Sequence, residues 1–378
     1  MDPTLKTLAG RGHDLRINLL LGMANWFVFL DHIPNNAVNL VTLRNYGFSG
    51  ATDVFVFVAG YAVALIYGAM MLERGFVITM TRIFKRVGQL YVAYVVLFVI
   101  YVDAIGNVAA RYAATNLIDE YNVMGIIDHP TRTLMSGLLL QARPLNLDGL
   151  QLFIVLMALF PPALWAMLRR PHLTLAGSAC LYLAARQFDW GLPSFPAGRW
   201  DFNPFCWQLL FLLGAWFAVK GRELVAPLYG WPALRVGAVA YLVLALVIAL
   251  PRHFPEINGI IPGVWPLSLD SKENLAPHRL LHFLALAFVF TSLVPRDWPA
   301  LHAIAFRPVI KCGEEWLAAF CAGVFLSFAA HFVLITGPDS IAMQIAVSVA
   351  GLVAMTLVAA YVSWSKQQDR VRVMSAEA

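Results

Sequence analysis

Long apolar segments alternate with short polar stretches along the whole chain. Ten of these segments come close to the roughly 20 mainly apolar residues that a helix needs to cross the hydrocarbon layer of a membrane. The segments are Ile17–Leu30, Val54–Leu72, Val87–Gly106, Leu150–Leu168, Leu173–Arg186, Phe205–Val219, Ala233–Leu250, Leu280–Val294, Leu317–Thr336 and Ile341–Trp364. The pattern predicts an all-α, polytopic membrane helix bundle of about ten transmembrane helices. With no internal repeat, we expect residues 1–378 to form one domain.

Two details limit this assignment at the level of single segments. The first and fifth segments are shorter than the others, so their ends are less sharply defined. Thr131–Leu140 is a shorter apolar stretch and indicates a surface or re-entrant helix. The first segment has no small-residue cleavage pattern after it, which indicates a retained membrane helix rather than a signal peptide.

The composition agrees with a lipid-facing surface. Of the 378 residues, 60% are hydrophobic and 13% are charged, and the mean hydropathy is +0.69. Soluble domains carry about 25% charged residues. A water-soluble globule of this size needs a larger polar surface than this composition provides.

The distribution of basic residues predicts the orientation. Two thirds of the 27 Lys and Arg residues lie at the termini and in the alternate loops on the same side as the termini. Basic residues are enriched in cytoplasmic loops, so both termini are predicted to be cytoplasmic. The net charge of +5 is small and spread between apolar segments, which does not indicate nucleic-acid binding.

Metal and disulfide chemistry have no support in the sequence. The four cysteines show neither CxxC spacing nor a metal-ligand pattern, and most lie in apolar runs. A buried free cysteine behaves as a small hydrophobic residue. We therefore expect no metal site, no disulfide framework and no permanently bound cofactor.

Polar residues in the first segment are the strongest sign of chemistry. Asn18, Asn25 and His32 recur every seven residues and so share one helix face. Polar groups in lipid are costly, so this face is predicted to look into the bundle. His32 precedes a proline that ends the helix, and it is either a general base or a hydrogen-bond donor at the helix end. Asp31 is adjacent and orients His32 only if the backbone has already left the helix there.

Basic residues open the third segment on the predicted cytoplasmic side. Arg82 and Arg86 are four residues apart and share a helix face, and Lys85 is close to both. Paired guanidinium groups suit a phosphate-rich ligand. The alternative is an ordinary positively charged anchor at the membrane surface, and position alone favours that alternative.

Several sequence blocks resemble one known family. DHIPNN, GFSGATDVFVF and FNPFCWQLLF are the most specific, and the likeness continues through TRIFKRVGQLYVAY, KENLAPHRLLHFLALA and IKCGEEWLAAFCAGVFLS. Together they resemble the OpgC family over nearly the whole chain. That family consists of bacterial inner-membrane succinyltransferases that modify osmoregulated periplasmic glucans, and it is related to the membrane acyltransferase type-three superfamily.

The resemblance implies roles for particular residues. It implies catalysis by His32 and contact of Arg82 and Arg86 with the phosphates of coenzyme A. It implies an acyl-CoA donor, such as succinyl-CoA, on the cytoplasmic side and a glucan or other glycan acceptor beyond the outer face. Asp31 and Lys85 are included in the expected catalytic and donor sites as neighbours of these residues.

The acceptor side is a weaker hypothesis. The expected substrate-binding residues are Asn35, Asn45, Trp200, Asn203 and Arg279. A dicarboxylic acyl chain would need a basic partner near His32, and Arg44 and Arg279 are the two candidates.

This chain departs from the family pattern at three places. Asn18 stands where the family usually has aspartate, and Leu21 stands where it usually has arginine. Leu21 is eleven residues before His32, close to three full turns, so it shares the face of His32. Glu315 and Trp316 replace a histidine–serine pair.

Two functions from different classes therefore remain open. The first is an O-acyltransferase with an altered but compensated first helix. The second is a non-catalytic membrane carrier or scaffold in glycan export or biosynthesis. Binding and transfer of a short-chain acyl group from acyl-CoA discriminate between the two.

Overall fold

A computed structural model describes residues 14–112, 121, 123, 129–142, 146–195, 197–252, 272–338 and 340–376. These residues form helices joined by turns, and no strand longer than an isolated bridge occurs among them. The all-α fold class is confirmed.

Twelve labelled helices organise the described chain. In chain order they are α1 Leu15–Asp31, α2 Ala51–Arg74, α3 Phe76–Tyr112, α4 Pro130–Leu138, α5 Asp148–Arg169, α6 Pro171–Gln187, α7 Pro204–Trp216, α8 Pro232–Ala249, α9 Pro277–Leu293, α10 Arg307–Glu314, α11 Trp316–Thr336 and α12 Ile341–Ala376. A π-helical turn, Phe217–Gly221, extends α7.

Each of the ten predicted apolar segments lies in a helix. Seven helices are long and apolar enough to cross a membrane by length and composition, namely α2, α3, α5, extended α7, α8, α11 and α12. The helices α1, α6 and α9 have 17 residues each. That length corresponds to roughly 26 Å, just short of the hydrocarbon core. The membrane helix bundle is confirmed, while the crossing by these three shorter helices stays a prediction.

Two helices extend well beyond their apolar segments. α3 has 37 residues and begins at Phe76, so the basic residues of the third segment lie inside the helix instead of opening it. α12 has 36 residues and continues past Trp364. Helical hydrogen bonding does not require an apolar side chain, so a helix continues where it leaves the hydrocarbon.

The described chain packs as two compact units. The first contains the described residues within 56–241 and 264–285, and the second contains those within 13–55, 242–263 and 286–378. The single-domain organisation stays a prediction.

Buried polar contacts join the helices of the first unit. Gln151 on α5 donates from its side-chain amide to the Tyr94 hydroxyl on α3 at 2.8 Å. The Ser178 hydroxyl on α6 donates to Oε1 of Gln208 on α7 at 2.6 Å. Buried polar groups are costly unless they are hydrogen-bonded, so these pairs help to fix how neighbouring helices face each other.

In the second unit, α1 and α10 run antiparallel with their backbones in contact. A Cβ atom added to Gly22 would stand 1.8 Å from the Val309 carbonyl oxygen. A Cβ atom added to Gly313 would stand 1.8 Å from the Asn18 carbonyl oxygen. Only glycine allows so close an approach, and the two glycines therefore set the distance between these helices.

The helices α11 and α12 complete the core of the second unit. Phe29 of α1 is buried with Ala319 of α11 and Met355 of α12. At the other end, Lys366 of α12 forms an ion pair with Glu315, and Lys311 of α10 donates to the Ser363 hydroxyl at 3.2 Å. Residues from both ends of the sequence thus build one core.

Candidate functional site

His32 stands at the point where α1 ends. Its backbone N–H donates to the carbonyl oxygens of Val28 at 3.2 Å and Phe29 at 3.3 Å. Its φ of −98° and ψ of 8° depart from helical values, and Pro34 follows two residues later. The side chain is half-buried. The predicted helix end at His32 is therefore present, and Asp31 is the last helical residue.

The carboxylate of Asp31 is held by the loop that follows α1. Oδ1 accepts a hydrogen bond from the Thr42 hydroxyl at 2.6 Å and lies 3.9 Å from Nε of Arg44. The Arg44 guanidinium also donates to the Asp31 carbonyl oxygen at 3.5 Å. The Asp31 side chain is 11% exposed. Asp31 thus joins the end of α1 to the loop.

Burial changes the protonation of Asp31, which lies outside the seven helices that qualify as membrane spans. Burial raises the pKa of this carboxyl to about 6, while the hydrogen bond from Thr42 and the charge of Arg44 act in the opposite direction. Loss of hydration disfavours the charged form of an acid. Asp31 therefore titrates near neutral pH.

The two asparagines predicted beside His32 differ in their surroundings. Asn35 is exposed and has a φ of 55°, a left-handed conformation that asparagine tolerates better than most residues. Asn45 is buried, and its amide nitrogen donates to the Asn39 carbonyl at 2.6 Å and to the Thr42 hydroxyl at 3.0 Å. Asn35 is open to a ligand, whereas the Asn45 amide nitrogen is engaged within the loop.

Two residues of α12 fix this same loop. The Asn36 side chain donates to the Ser348 hydroxyl at 2.9 Å, and the Ala37 N–H donates to Oε1 of Gln344 at 2.8 Å. Sequence reasoning missed both residues of α12. Their four-residue spacing in an apolar helix was the available signal, because it places two polar side chains on one face.

The basic residues expected to bind the donor lie on α3 in the first unit. The side chains of Arg82 and Lys85 are exposed, and neither has a hydrogen-bond or ion-pair partner in the described part of the chain. Arg86 is half-buried and donates to Oε1 of Gln89 at 3.1 Å. Two solvent-facing positive charges one turn apart are suited to an anionic ligand.

Asn203 is tightly bound into the first unit. It is 1% exposed and is the N-cap of α7, where its Oδ1 accepts from the Phe205 N–H at 3.1 Å. Its amide nitrogen donates to the Trp190 carbonyl at 2.5 Å and to Oδ1 of Asn274 at 2.7 Å. These bonds use both ends of the amide, so Asn203 connects two loops to α7.

Trp200 and Arg279 are both buried in the first unit. The Trp200 N–H donates to the Leu192 carbonyl at 3.0 Å. The Arg279 guanidinium lies over the ring of Trp207, 5.6 Å from the ring centroid, and Trp207 donates from Nε1 to the Lys272 carbonyl at 2.9 Å. The structure therefore brings Arg279 to the helix that Asn203 begins.

A charged group beside these residues was not found from the sequence. Asp148, the first residue of α5, interacts electrostatically with Lys272 and Asp201. Each of the three is at or near the start of a helix, which was the available signal. Their side chains add charge of both signs to the part of the first unit that contains Asn203.

The candidate residues thus fall into three groups. Asp31, His32, Asn35 and Asn45 share one loop of the second unit. The basic residues of α3 form one group in the first unit, and Trp200, Asn203 and Arg279 form another. Among the described residues, no group of three His, Cys, Asp or Glu side chains could hold a metal ion.

The fold and these polar groups define the class of protein first: a polytopic α-helical membrane protein with polar side chains gathered at helix ends. A comparison with family models then matches residues 13–367 to the OpgC protein family. The chain therefore belongs to the OpgC family, and the match includes every candidate residue named above. No curated protein and no solved structure matches the chain. Membership supports a glucan-modifying transferase role.

Proposed function

We propose that the protein is an O-acyltransferase of the bacterial inner membrane that moves a succinyl or similar acyl group from cytoplasmic acyl-CoA to a periplasmic glucan. The observation that carries this proposal is the OpgC match over residues 13–367. The seven apolar helices that qualify as spans support a membrane setting.

His32 is the proposed general base. An imidazole nitrogen accepts the proton of a sugar hydroxyl while the oxygen attacks the thioester carbonyl. The carbon–sulfur bond breaks, and the departing thiolate of coenzyme A takes the proton from the imidazolium. A covalent acyl-histidine is the alternative route, in which the ring nitrogen attacks the thioester first. The half-buried ring at the end of α1 supports either route, because a polar loop surrounds it.

Asp31 is proposed as a positioning residue for His32. Its bonds to Thr42 and Arg44 fix the first turn of the loop in which His32 lies. A group held by several contacts is better preorganised for catalysis than one on a free loop.

Arg44 is the proposed partner of a succinyl carboxylate. Its side chain is 47% exposed, and its Nε approaches Asp31 at 3.9 Å. A guanidinium has five N–H donors, so Arg44 has donors to spare for a second carboxylate. This geometry favours Arg44 over Arg279, because Arg44 belongs to the same loop as His32.

The donor phosphates are proposed to bind Arg82, Lys85 and Arg86. Exposed guanidinium and ammonium groups attract phosphate, and arginine adds paired donors to that attraction. For the acceptor, Asn35 is the proposed contact beside His32, and Trp200 and Asn203 are proposed to act in the first unit.

Glucan acylation by purified protein in liposomes tests the proposal. We expect His32→Ala to lower kcat by at least about 100-fold, the range that a general acid–base group contributes. The matched control is His302→Ala, because His302 is an exposed histidine outside the candidate site. In the same assay, Arg82→Gln with Lys85→Gln should raise the KM for acyl-CoA and leave kcat nearly unchanged.

The outcomes separate the two classes of function. Unchanged kcat in His32→Ala at normal expression refutes the catalytic role of this histidine. Protein that binds glucan but transfers no acyl group from any short-chain acyl-CoA favours the carrier or scaffold, which the Asn18 and Leu21 departures motivate.

A further inference from the structure

An open cavity lies beside the turn between α5 and α6, away from every candidate residue above. α5 ends at Arg169 and α6 begins at Pro171, so Arg170 alone forms the turn. The cavity has a volume of about 410 Å³. Its lining residues are Trp165, Ala166, Arg169, Arg170, Leu173 and Thr174.

The two arginines give the cavity a net positive charge. The Arg169 guanidinium lies over the Trp165 ring, 4.0 Å from the centroid, a cation–π contact that orients it. Neither guanidinium has a hydrogen-bond or ion-pair partner among the residues that the structure describes, and the lining contains no acidic residue. Two adjacent unpaired guanidinium groups favour an anion with several oxygen atoms.

The remaining wall of the cavity is apolar and outward-facing. Trp165 is 42% exposed and Leu173 is 61% exposed. Trp165 lies one turn inside the end of a helix that qualifies as a membrane span. Tryptophan is enriched where hydrocarbon meets water, and arginine prefers the headgroup level just beyond it. The charged part of the cavity therefore belongs at the headgroups and its apolar part at the acyl chains.

We propose that this cavity binds the phosphate of an anionic phospholipid, with Arg169 and Arg170 on the phosphate and Trp165 and Leu173 against the acyl chains. The distribution of basic residues predicts that the α5–α6 turn is cytoplasmic, so the lipid comes from the inner leaflet. A basic site between membrane helices on that side suits an anionic headgroup. A water-soluble phosphate compound would leave the apolar wall uncovered.

Native mass spectrometry of the purified full chain tests this site. The probe is phosphatidylglycerol, with phosphatidylcholine as the zwitterionic comparison. The test variant is Arg169→Gln with Arg170→Gln, which keeps side-chain polarity and removes both charges. We expect it to weaken phosphatidylglycerol binding at least about 10-fold, since each arginine near an anionic surface contributes a factor of about five.

Matched variants keep the test interpretable. Arg235→Gln removes another exposed, predicted cytoplasmic arginine and should change binding less than about two-fold, because it lies outside the cavity. Arg169→Lys with Arg170→Lys keeps the charge and should retain most of the binding. If the glutamine variant is poorly folded, loss of the preference in Trp165→Leu decides the matter instead.

Three results would overturn the proposal. The first is equal retention of phosphatidylglycerol by the wild type and the glutamine variant. The second is equal binding of phosphatidylcholine and phosphatidylglycerol to the wild type. The third is displacement of the bound lipid by free coenzyme A, which would assign the cavity to donor phosphates. None of these results depends on transferase activity, so failure here is distinct from failure of the proposed function.

Discussion

Asp31 is the residue whose surroundings most clearly exceed what its position in the sequence suggests. The sequence predicted that Asp31 could orient His32 only if the helix ended there, and α1 does end at Asp31. The carboxylate also accepts from Thr42 and lies beside Arg44, which are 11 and 13 residues further along. Two short 3-10 turns bring them back, and no local pattern marks such turns in advance.

Replacing Asp31 by asparagine should change the pH dependence of stability. The pKa of Asp31 is about 6 in the fold, above its ordinary value of 3.8, so the folded state binds the proton more tightly than the unfolded chain. The stability from this group is fully present below pH 3.8 and is lost as the pH rises through 6. The loss at pH 8 approaches about 2–3 kcal/mol for a shift of this size. An asparagine side chain at this position is neutral at every pH and would not incur this loss.

Thermal unfolding in detergent at pH 5 and pH 8 measures this effect. We expect the apparent Tm of Asp31→Asn relative to wild type to be higher at pH 8 than at pH 5. Asp297→Asn is the control, because Asp297 is exposed. An equal difference at the two pH values would show that Asp31 does not titrate in this range.

At the scale of elements, most helices follow from hydrophobic patterning, but α10 does not. Apolar length predicted all ten main segments, because a membrane helix must be long and apolar to be stable. α10 has only eight residues and mixes charged with apolar side chains, so no such rule applies to it. Its neighbour α1 is almost 300 residues earlier, and the contact shows in the sequence only as two isolated glycines.

Alanine at Gly22 or Gly313 should separate α1 from α10. Each new Cβ would stand 1.8 Å from a backbone carbonyl oxygen, which cannot move aside as a flexible side chain can. We expect a loss of about 2–3 kcal/mol or more, at the upper end for overpacked sites, and a lower apparent Tm for each variant. Gly177→Ala in α6 is the control, since nothing lies within 4 Å of its added Cβ. A Tm equal to wild type for Gly22→Ala would contradict this helix contact.

At the scale of the whole molecule, the sequence predicted the fold class and the family, and it predicted the site only in part. His32 at a helix end and the exposed basic face of α3 follow from local spacing. The buried network around Asn203 does not, because its partner Asn274 is 71 residues away. Side chains brought together by packing leave no periodic signal in one sequence.

Membrane orientation is the prediction that belongs to this scale. Positive charge predicts that the loop after α1 is periplasmic and that the loop between α9 and α10 is cytoplasmic. In a variant without its four native cysteines, a membrane-impermeant maleimide should label Val41→Cys in intact spheroplasts. Asp297→Cys should react only after permeabilisation. Both positions are exposed, so access depends on the side of the membrane. Labelling of Asp297→Cys in intact cells would reverse the orientation.

The antiparallel contact of α1 with α10 has a consequence for biosynthesis. The neighbouring loop shows the delay, because Asn36 bonds to Ser348, which the ribosome adds 312 residues later. At about 5–20 residues per second, that delay is roughly 15–60 s. During this time the glycine-bearing face of the newborn first helix has no native partner to cover it. Completion of the second unit is therefore a late event, and a nascent chain stopped before α10 would leave its first helix available to insertion factors or to degradation.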